Sequence, residues 1–283
     1  MANNRAVLGT LCETVNTLRR WRGIVRWRSL FVVAAIDIMH RWPGRHPVRR
    51  AVRLFCRHRR FRLILSKKRR LCIEGRYDEY ADFHAICEIF VDRVYDVRLL
   101  SASPTMILDV GGHIGTFSLL AGEAFPEASM FAFEPDAQNC SLLERNVKDN
   151  NLKITVKNLA LADYKGSTLL EGPSSMGRRI GAKKGARVQV QRLSEVVQFA
   201  PGTVLLMKID VEGAEWRILE DCAATLPEDT FIFIETHNGD TDVQRLLRFS
   251  TRWGFQHEVT TAKGEYHDSV LRRGCFAISD KNS

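Results

Sequence analysis

Four segments in fixed order constrain this chain most: residues 107–115 (ILDVGGHIG), 131–136 (FAFEPD), 205–215 (LLMKIDVEGAE) and 231–238 (FIFIETHN). Each opens as an apolar run of strand length and closes on glycine or acidic residues. A buried parallel strand reads as such a run, because both of its faces are covered. Strands that end in glycine and carboxylate place those groups at the carboxyl edge of the sheet, where open α/β sheets bind ligands. The order and spacing imply a nucleoside-bearing cofactor beside a pocket of carboxylates and a histidine.

The rest of the chain fits an α/β domain with an appendage. Its 283 residues, 45% hydrophobic, suffice for one large core. The net charge of +9 is unevenly spread. Residues 1–70 hold roughly 19 Lys/Arg against two acids, Glu13 and Asp37, and the remainder holds about 23 against about 31. Seven scattered cysteines with no C-x-x-C argue against a disulfide framework or a zinc site and fit a reducing, cytosolic compartment. No secretory signal is expected at the start. The longest apolar run, 30–39, contains Asp37 and falls short of the roughly 20 residues a membrane span needs.

Helical spacing predicts helices over 11–40, 47–65 and 77–96, with a linker at 101–104. From Met106 the rhythm changes to alternating strand and helix. Strands are expected near 106–110, 129–133, 153–159, 204–209, 230–235, 254–259 and 273–278. Helices are expected near 115–124, 136–150, 192–199, 213–224 and 240–253, with short extra strands and a loop over 164–191. This alternation predicts a doubly wound, mostly parallel sheet. Two domains result: a basic, mainly helical extension over 1–74, and a domain over 75–283 with its lead-in helix at 77–96 and core at 105–278.

The chemistry sits at the strand ends. Asp109, Gly111, Gly112, His113 and Gly115 form a turn between strand and helix. It is neither G-x-G-x-x-G nor a P-loop, which disfavours a dinucleotide or nucleotide-triphosphate site. Glu134, followed by the turn-fixing Pro135, can accept hydrogen bonds from both hydroxyls of a ribose, or can be an exposed turn residue. Asp163 can meet an adenine amino group or serve a turn. Lys208, Asp210 and Glu212 share one strand face by their i, i+2 spacing. Glu215 suits a structural place in the first turn of a helix. Glu235 and His237 repeat the geometry one strand over, and His237 can take a proton at neutral pH. A carboxylate–histidine set can also hold a divalent metal, though no loop pattern demands one.

These segments resemble the FkbM family of S-adenosylmethionine-dependent methyltransferases. Its pattern is matched at 109–115, 132–135, 160–163, 208–215 and 235–237, within a resemblance covering about 75–278. The KIDVEGAE segment is the most specific part. The resemblance implies a Rossmann-like class I methyltransferase fold, with a seven-stranded, mostly parallel sheet whose last strand is antiparallel. It implies that the 111–115 turn cradles the methionine part of S-adenosyl-L-methionine and that Glu134 holds its ribose. Characterised members methylate hydroxyls of sugars or natural products, so the acceptor is expected to be a small molecule or glycan. Two departures stand out: His113 replaces the usual Asn, and QRLSEVV replaces T-L-D-D-L.

On this reading His237 is the base, with Asp210 or Glu235 as rivals, and Lys208 and Glu212 orient the acceptor or the carboxylates. Residues 171–187 select the acceptor or form a solvated loop. The basic extension, with Trp21, Trp27 and Trp42 among its arginines, can lie on an anionic membrane surface through residues 11–70, making the protein peripheral at the inner membrane face. It can also cap the acidic domain, or grip RNA. Nucleic-acid recognition signatures are absent, so an RNA methyltransferase is the lesser alternative, beside a non-catalytic cofactor-binding scaffold.

Overall fold

The computed structural model describes residues 13–42, 46–65, 71–172, 174–263 and 266–276. Contacts divide the chain into two compact units, Met1–Arg93 with Lys148–Asn150, and Val94–Val147 with Asn151–Ser283.

Among the described residues the first unit holds helix α1 (13–21), then a break at Gly23, whose φ is +97°. Helices α2 (Ser29–Arg41) and α3 (Pro47–Cys56) follow. The expected single helix over 11–40 is therefore two, because the left-handed backbone at Gly23 cannot continue an α-helix. Fully buried Asp37 on α2 ties the pieces together by accepting hydrogen bonds from the hydroxyls of Thr14 (2.5 Å) and Thr17 (3.2 Å).

The expected helix over 47–65 also needs correction. Helix α3 stops at Cys56, and Arg60–Leu65 is a strand, β1, paired antiparallel with β2 (Leu71–Arg76). In RFRLIL the apolar residues fall at period two, and Phe61, Leu63 and Leu65 are all buried. The lead-in helix is shorter than expected: α4 (Tyr80–Ile86) passes into a π-helical turn, Cys87–Asp92, which ends at Arg93 in the left-handed region.

The second unit holds the strand–helix alternation. In chain order it comprises β3 (Met106–Val110), α5 (Thr116–Ala124), β4 (Ser129–Phe133), α6 (Ala137–Asp149), β5 (Ile154–Lys157) and β6 (Ala160–Leu161). Next come β7 (Gly166–Glu171), β8 (Arg179–Ile180), β9 (Ala186–Gln191), α7 (Leu193–Val196), β10 (Val204–Ile209) and α8 (Glu215–Cys222). The last elements are β11 (Asp229–Thr236), α9 (Asp240–Trp253), β12 (Gln256–Lys263) and β13 (Tyr266–Arg273).

Seven strands form one sheet in the order β5-β4-β3-β10-β11-β13-β12. The first five are parallel, and β13 runs antiparallel to both of its neighbours. The strand expected at 273–278 thus lies earlier. It ends at Arg273, where Gly274 turns left-handed (φ +64°) into a short 3-10 turn. Strands β6 to β9 make a separate small sheet, in line with the extra strands expected over 164–191.

From β3 the chain steps outward to β4 and β5, then returns to β10 on the other side of β3. The switch point therefore lies between β3 and β10, which fixes the ligand crevice at their carboxyl ends. Registers set those ends level. Lys208 pairs with Asp109 and Ile209 with Val110, while Ile209 also pairs with Ile234. Leu108, Val110, Leu205, Met207, Ile209, Ile232 and Ile234 are almost fully buried, which anchors these strand ends in one core.

Candidate active site

The turn after β3 is built by its glycines. Gly111 has φ +84°, and a Cβ there would overlap the carbonyl oxygen of Asp210. Glycine is required because this turn packs against the end of β10. The amides of Gly111 and Gly112 both donate to the Phe133 carbonyl at 3.0 Å. His113 also lies in the left-handed region (φ 48°), where Asn and His are among the better tolerated side chains. The histidine that replaces the family's Asn therefore keeps the backbone shape. Its Nε2 sits 3.0 Å from the Ser175 hydroxyl. Gly115, at φ +90°, leads into α5 without a side-chain cap, leaving first-turn amides for a ligand.

Glu134 directly follows β4 and is 6% exposed. One carboxylate oxygen accepts from the His113 amide (2.8 Å) and the other from the Asp136 amide (2.9 Å). Burial pushes its pKa up to about 7, against the pull of those amides. Each oxygen keeps a second lone pair for a further donor. Pro135 is half-buried, and its carbonyl accepts from Asn158. Asp109 is fully buried. Its carboxylate accepts from Ser118 (2.6 Å) and lies 3.6 Å from Lys208 Nζ. Burial raises its pKa, while Lys208 and Ser118 oppose the rise. Asp163 stands apart: it is exposed and paired with Arg217 at 2.7 Å.

One strand over, Lys208 is buried and donates to the Gly111 carbonyl (2.6 Å). Its Nζ lies 3.2 Å from Asp210 and 5.8 Å from the Tyr95 ring centroid. Burial works against its charge, but Asp210 and Asp109 outweigh burial and hold its pKa above the ordinary lysine value. Lys208 therefore joins the β3 turn to the end of β10.

His237 lies at the centre of the acids, 8% exposed. Its Nδ1 is 3.3 Å from Glu215, and its Nε2 is 3.4 Å from Glu212 and 3.8 Å from Glu235. Neither ring nitrogen makes a well-directed hydrogen bond, so these contacts are ion pairs. Burial alone would lower its pKa, but Glu215, then Glu212 and Asp210, overcome burial and raise it to about 9. The ring is an imidazolium at neutral pH. Burial in turn raises the Glu212 pKa, opposed by His237. Ligand atoms of Asp210, Glu212 and His237 lie within 4.8 Å of one another, near enough to hold a cation, and the imidazolium already supplies positive charge there.

Some partners were not visible in the strand-end pattern. Glu215 accepts from the amides of Gly213 (2.9 Å) and Val211 (3.4 Å), which fixes the turn in which Glu212 sits left-handed (φ 57°). Asp242, on α9, accepts from the amides of His237 and Asn238 and from Trp216 Nε1. Tyr95 donates to Glu235 (3.3 Å), and the Tyr266 ring meets His237 edge-on at 5.3 Å. Asp136 pairs with Arg178, and Arg179 lies 3.7 Å from Glu212. Ser175 and the two arginines belong to the 171–187 segment, which therefore reaches both halves of the site. Glu215, six residues past the end of β10, was legible in the sequence only as a structural acid in the first turn of the next helix.

The sheet order with its reversed β13, the glycine turn after β3 and the acid at the end of β4 define a class I S-adenosylmethionine-dependent methyltransferase fold. The donor set fits that cofactor: Glu134 offers acceptors suited to ribose hydroxyls, and the uncapped start of α5 offers amides suited to a carboxylate.

Residues 109–257 match the family described as Methyltransferase FkbM domain, and the chain belongs to this family of S-adenosylmethionine-dependent methyltransferases. It is 30% identical over 171 residues to methyltransferase sdnD of Sordaria araneosa, a match covering 47% of this chain and 66% of that protein. A similar match to Methyltransferase 1 of Beauveria bassiana covers 64% of the relative, so the chain spans just under two thirds of the length of these two proteins. The 31-O-demethyl-FK506 methyltransferase FkbM of Streptomyces tacrolimicus is 26% identical over 230 residues, covering 66% of this chain and 88% of that one. Among solved structures, the methyltransferase FkbM of Methylobacillus flagellatus aligns with a TM-score of 0.47 at 15% identity, over 92% of this chain and 59% of that chain. No helix among the described residues is long and apolar enough to cross a membrane.

Proposed function

We propose that the protein is an O-methyltransferase acting on a hydroxyl of a saccharide, a glycolipid or a natural product. The observation that carries this reading is the cluster of acids around His237, on the same carboxyl edge of the sheet as the Glu134 turn. A relative named for a 31-O-demethyl acceptor points the same way.

The cofactor supplies a methyl group already activated on a sulfonium, so the chain has only to position the hydroxyl and receive its proton. The sequence favours His237 for that proton. With its pKa raised to about 9, the ring is occupied by a proton of its own at neutral pH. On our reading Asp210 or Glu235 receives the proton, and the imidazolium offsets the charge of Glu212 and Glu215. Lys208 holds Asp210 in place and binds the β3 turn to it. Arg178 and Arg179, from the 171–187 segment, give the pocket edge a positive side suited to a polyol or anionic acceptor.

Methyl transfer to a panel of sugar and polyketide alcohols, followed by product mass, tests this. Asp210→Asn or Glu235→Gln is expected to lower kcat by about a hundredfold or more while leaving S-adenosylhomocysteine affinity within a few-fold. His237→Gln is expected to act more mildly than the more severe of these. A methylated nitrogen or carbon in the product, or a His237 variant that alone abolishes turnover, would overturn the assignment.

A further inference from the structure

Helix α3 turns an apolar stripe away from the fold. Val48, Ala51 and Phe55 recur at i, i+3 and i+7 with Leu54 beside them, an apolar stripe of the kind that normally faces a core. Here the stripe faces solvent: Leu54 is 83% exposed, Phe55 67% and Val48 42%. The only buried residue of the helix is Cys56, and the half-buried Arg49 donates to the Met39 carbonyl at 2.8 Å. The inward face of α3 is therefore the row Arg49, Val52 and Cys56, and the stripe of Val48, Ala51, Leu54 and Phe55 lies off it.

The sequence around that stripe carries charge of one sign, within which Arg60 and Arg62 are answered by Glu74 (2.8 Å) and Asp149 (3.2 Å). Between residues 47 and 62 every charged side chain is arginine: Arg49, Arg50, Arg53, Arg57, Arg59, Arg60 and Arg62. The Arg59 guanidinium lies 4.4 Å from the Phe55 ring centroid, so charge and apolar surface sit side by side. The same unit exposes a second such spot at the start of α2. There Trp27 (66%) and Phe31 (70%) meet edge-on at 6.2 Å, with Arg28 over Trp27 at 5.3 Å.

We propose that α3 docks the protein on an anionic lipid bilayer, with Leu54 and Phe55 entering the headgroup–acyl boundary and the arginines meeting lipid phosphates. A helix that presents Leu and Phe between arginines fits such a boundary, where one side of the surface is apolar and the other wet and negative. Nucleic acid would satisfy the arginines but leave Leu54 and Val48 in water.

The test is co-sedimentation of the full chain with vesicles of phosphatidylcholine alone and of phosphatidylcholine mixed with phosphatidylglycerol. Binding is expected only to the mixed vesicles. Leu54→Ser with Phe55→Ser is expected to weaken it at least about tenfold, since two apolar side chains would no longer leave water. Arg50→Glu with Arg53→Glu should weaken it at least about tenfold as well. All four positions are exposed, and melting temperatures would verify that the variants are folded. Three results would each overturn the proposal. One is no binding to mixed vesicles. Another is binding unchanged by the serine pair, which would reduce the surface to an arginine–phosphate contact. The third is concentration-dependent self-association abolished by the serine pair without any vesicle binding, which would make a second copy the occupant.

Discussion

Glu134 and His237 show how neighbours divide labour among buried ionisable groups at one sheet edge. Burial dominates at Glu134, where two backbone amides and, more weakly, Lys208 answer the charge, and its pKa rises to about 7. At His237 burial is overcome by three acids, and the pKa rises to about 9. A ribose held by Glu134 would donate to its carboxylate, so the cofactor selects the ionised form. With a pKa near 7, about a tenth of the groups are ionised at pH 6 and about nine tenths at pH 8. Cofactor affinity is therefore expected to fall about tenfold as pH drops from 8 to 6. Calorimetric titration with S-adenosylhomocysteine at the two pH values measures this. Glu134→Ala should bind weakly at both, with the pH slope gone. A slope that survives in the variant would assign it to another group.

The turns and strands explain what the sequence made readable. Runs such as LLMKID and FIFIET end abruptly in charge because β10 and β11 are covered on both faces up to their last residues. The strand ends, and with them Asp210, Glu235 and His237, could be placed from the pattern alone. The β1–β2 hairpin was not readable in the same way, because arginines interleaved with apolar residues fit a basic helix as well as a strand. Only the burial of Phe61, Leu63 and Leu65 decides between the two. The His113–Ser175 contact joins residues 62 apart, and no local spacing encodes it. The glycines of these turns also differ in ways the sequence hides. At Gly111 an added Cβ meets the Asp210 backbone, whereas at Gly213, also left-handed (φ +108°), it meets nothing within 4 Å. Gly213→Ala is expected to cost about 1–2 kcal/mol from backbone strain alone. Gly111→Ala should cost about 2–4 kcal/mol, because overpacking adds to the strain. Urea unfolding of the two variants gives the comparison, and equal losses would mean that the β3 turn yields to the extra carbon.

At the scale of the whole chain, charge and chemistry are segregated. The arginine-rich surface belongs to the first compact unit, and every residue of the cofactor edge belongs to the second. A ligand that binds only the folded second unit stabilises that unit by mass action, by about 2.7 kcal/mol at a hundred times its Kd. Hydrogen exchange reads such stabilisation locally, because amides report the opening of the unit that contains them. Saturating S-adenosylhomocysteine is therefore expected to slow exchange in β3, β4 and β10 by up to about a hundredfold. Exchange in the β1–β2 hairpin should remain as in the free protein. Glu134→Ala should erase the effect at the same ligand concentration. Equal slowing in the hairpin would show that the two units open together, and would link occupancy of the cofactor edge to the stability of the arginine-rich surface.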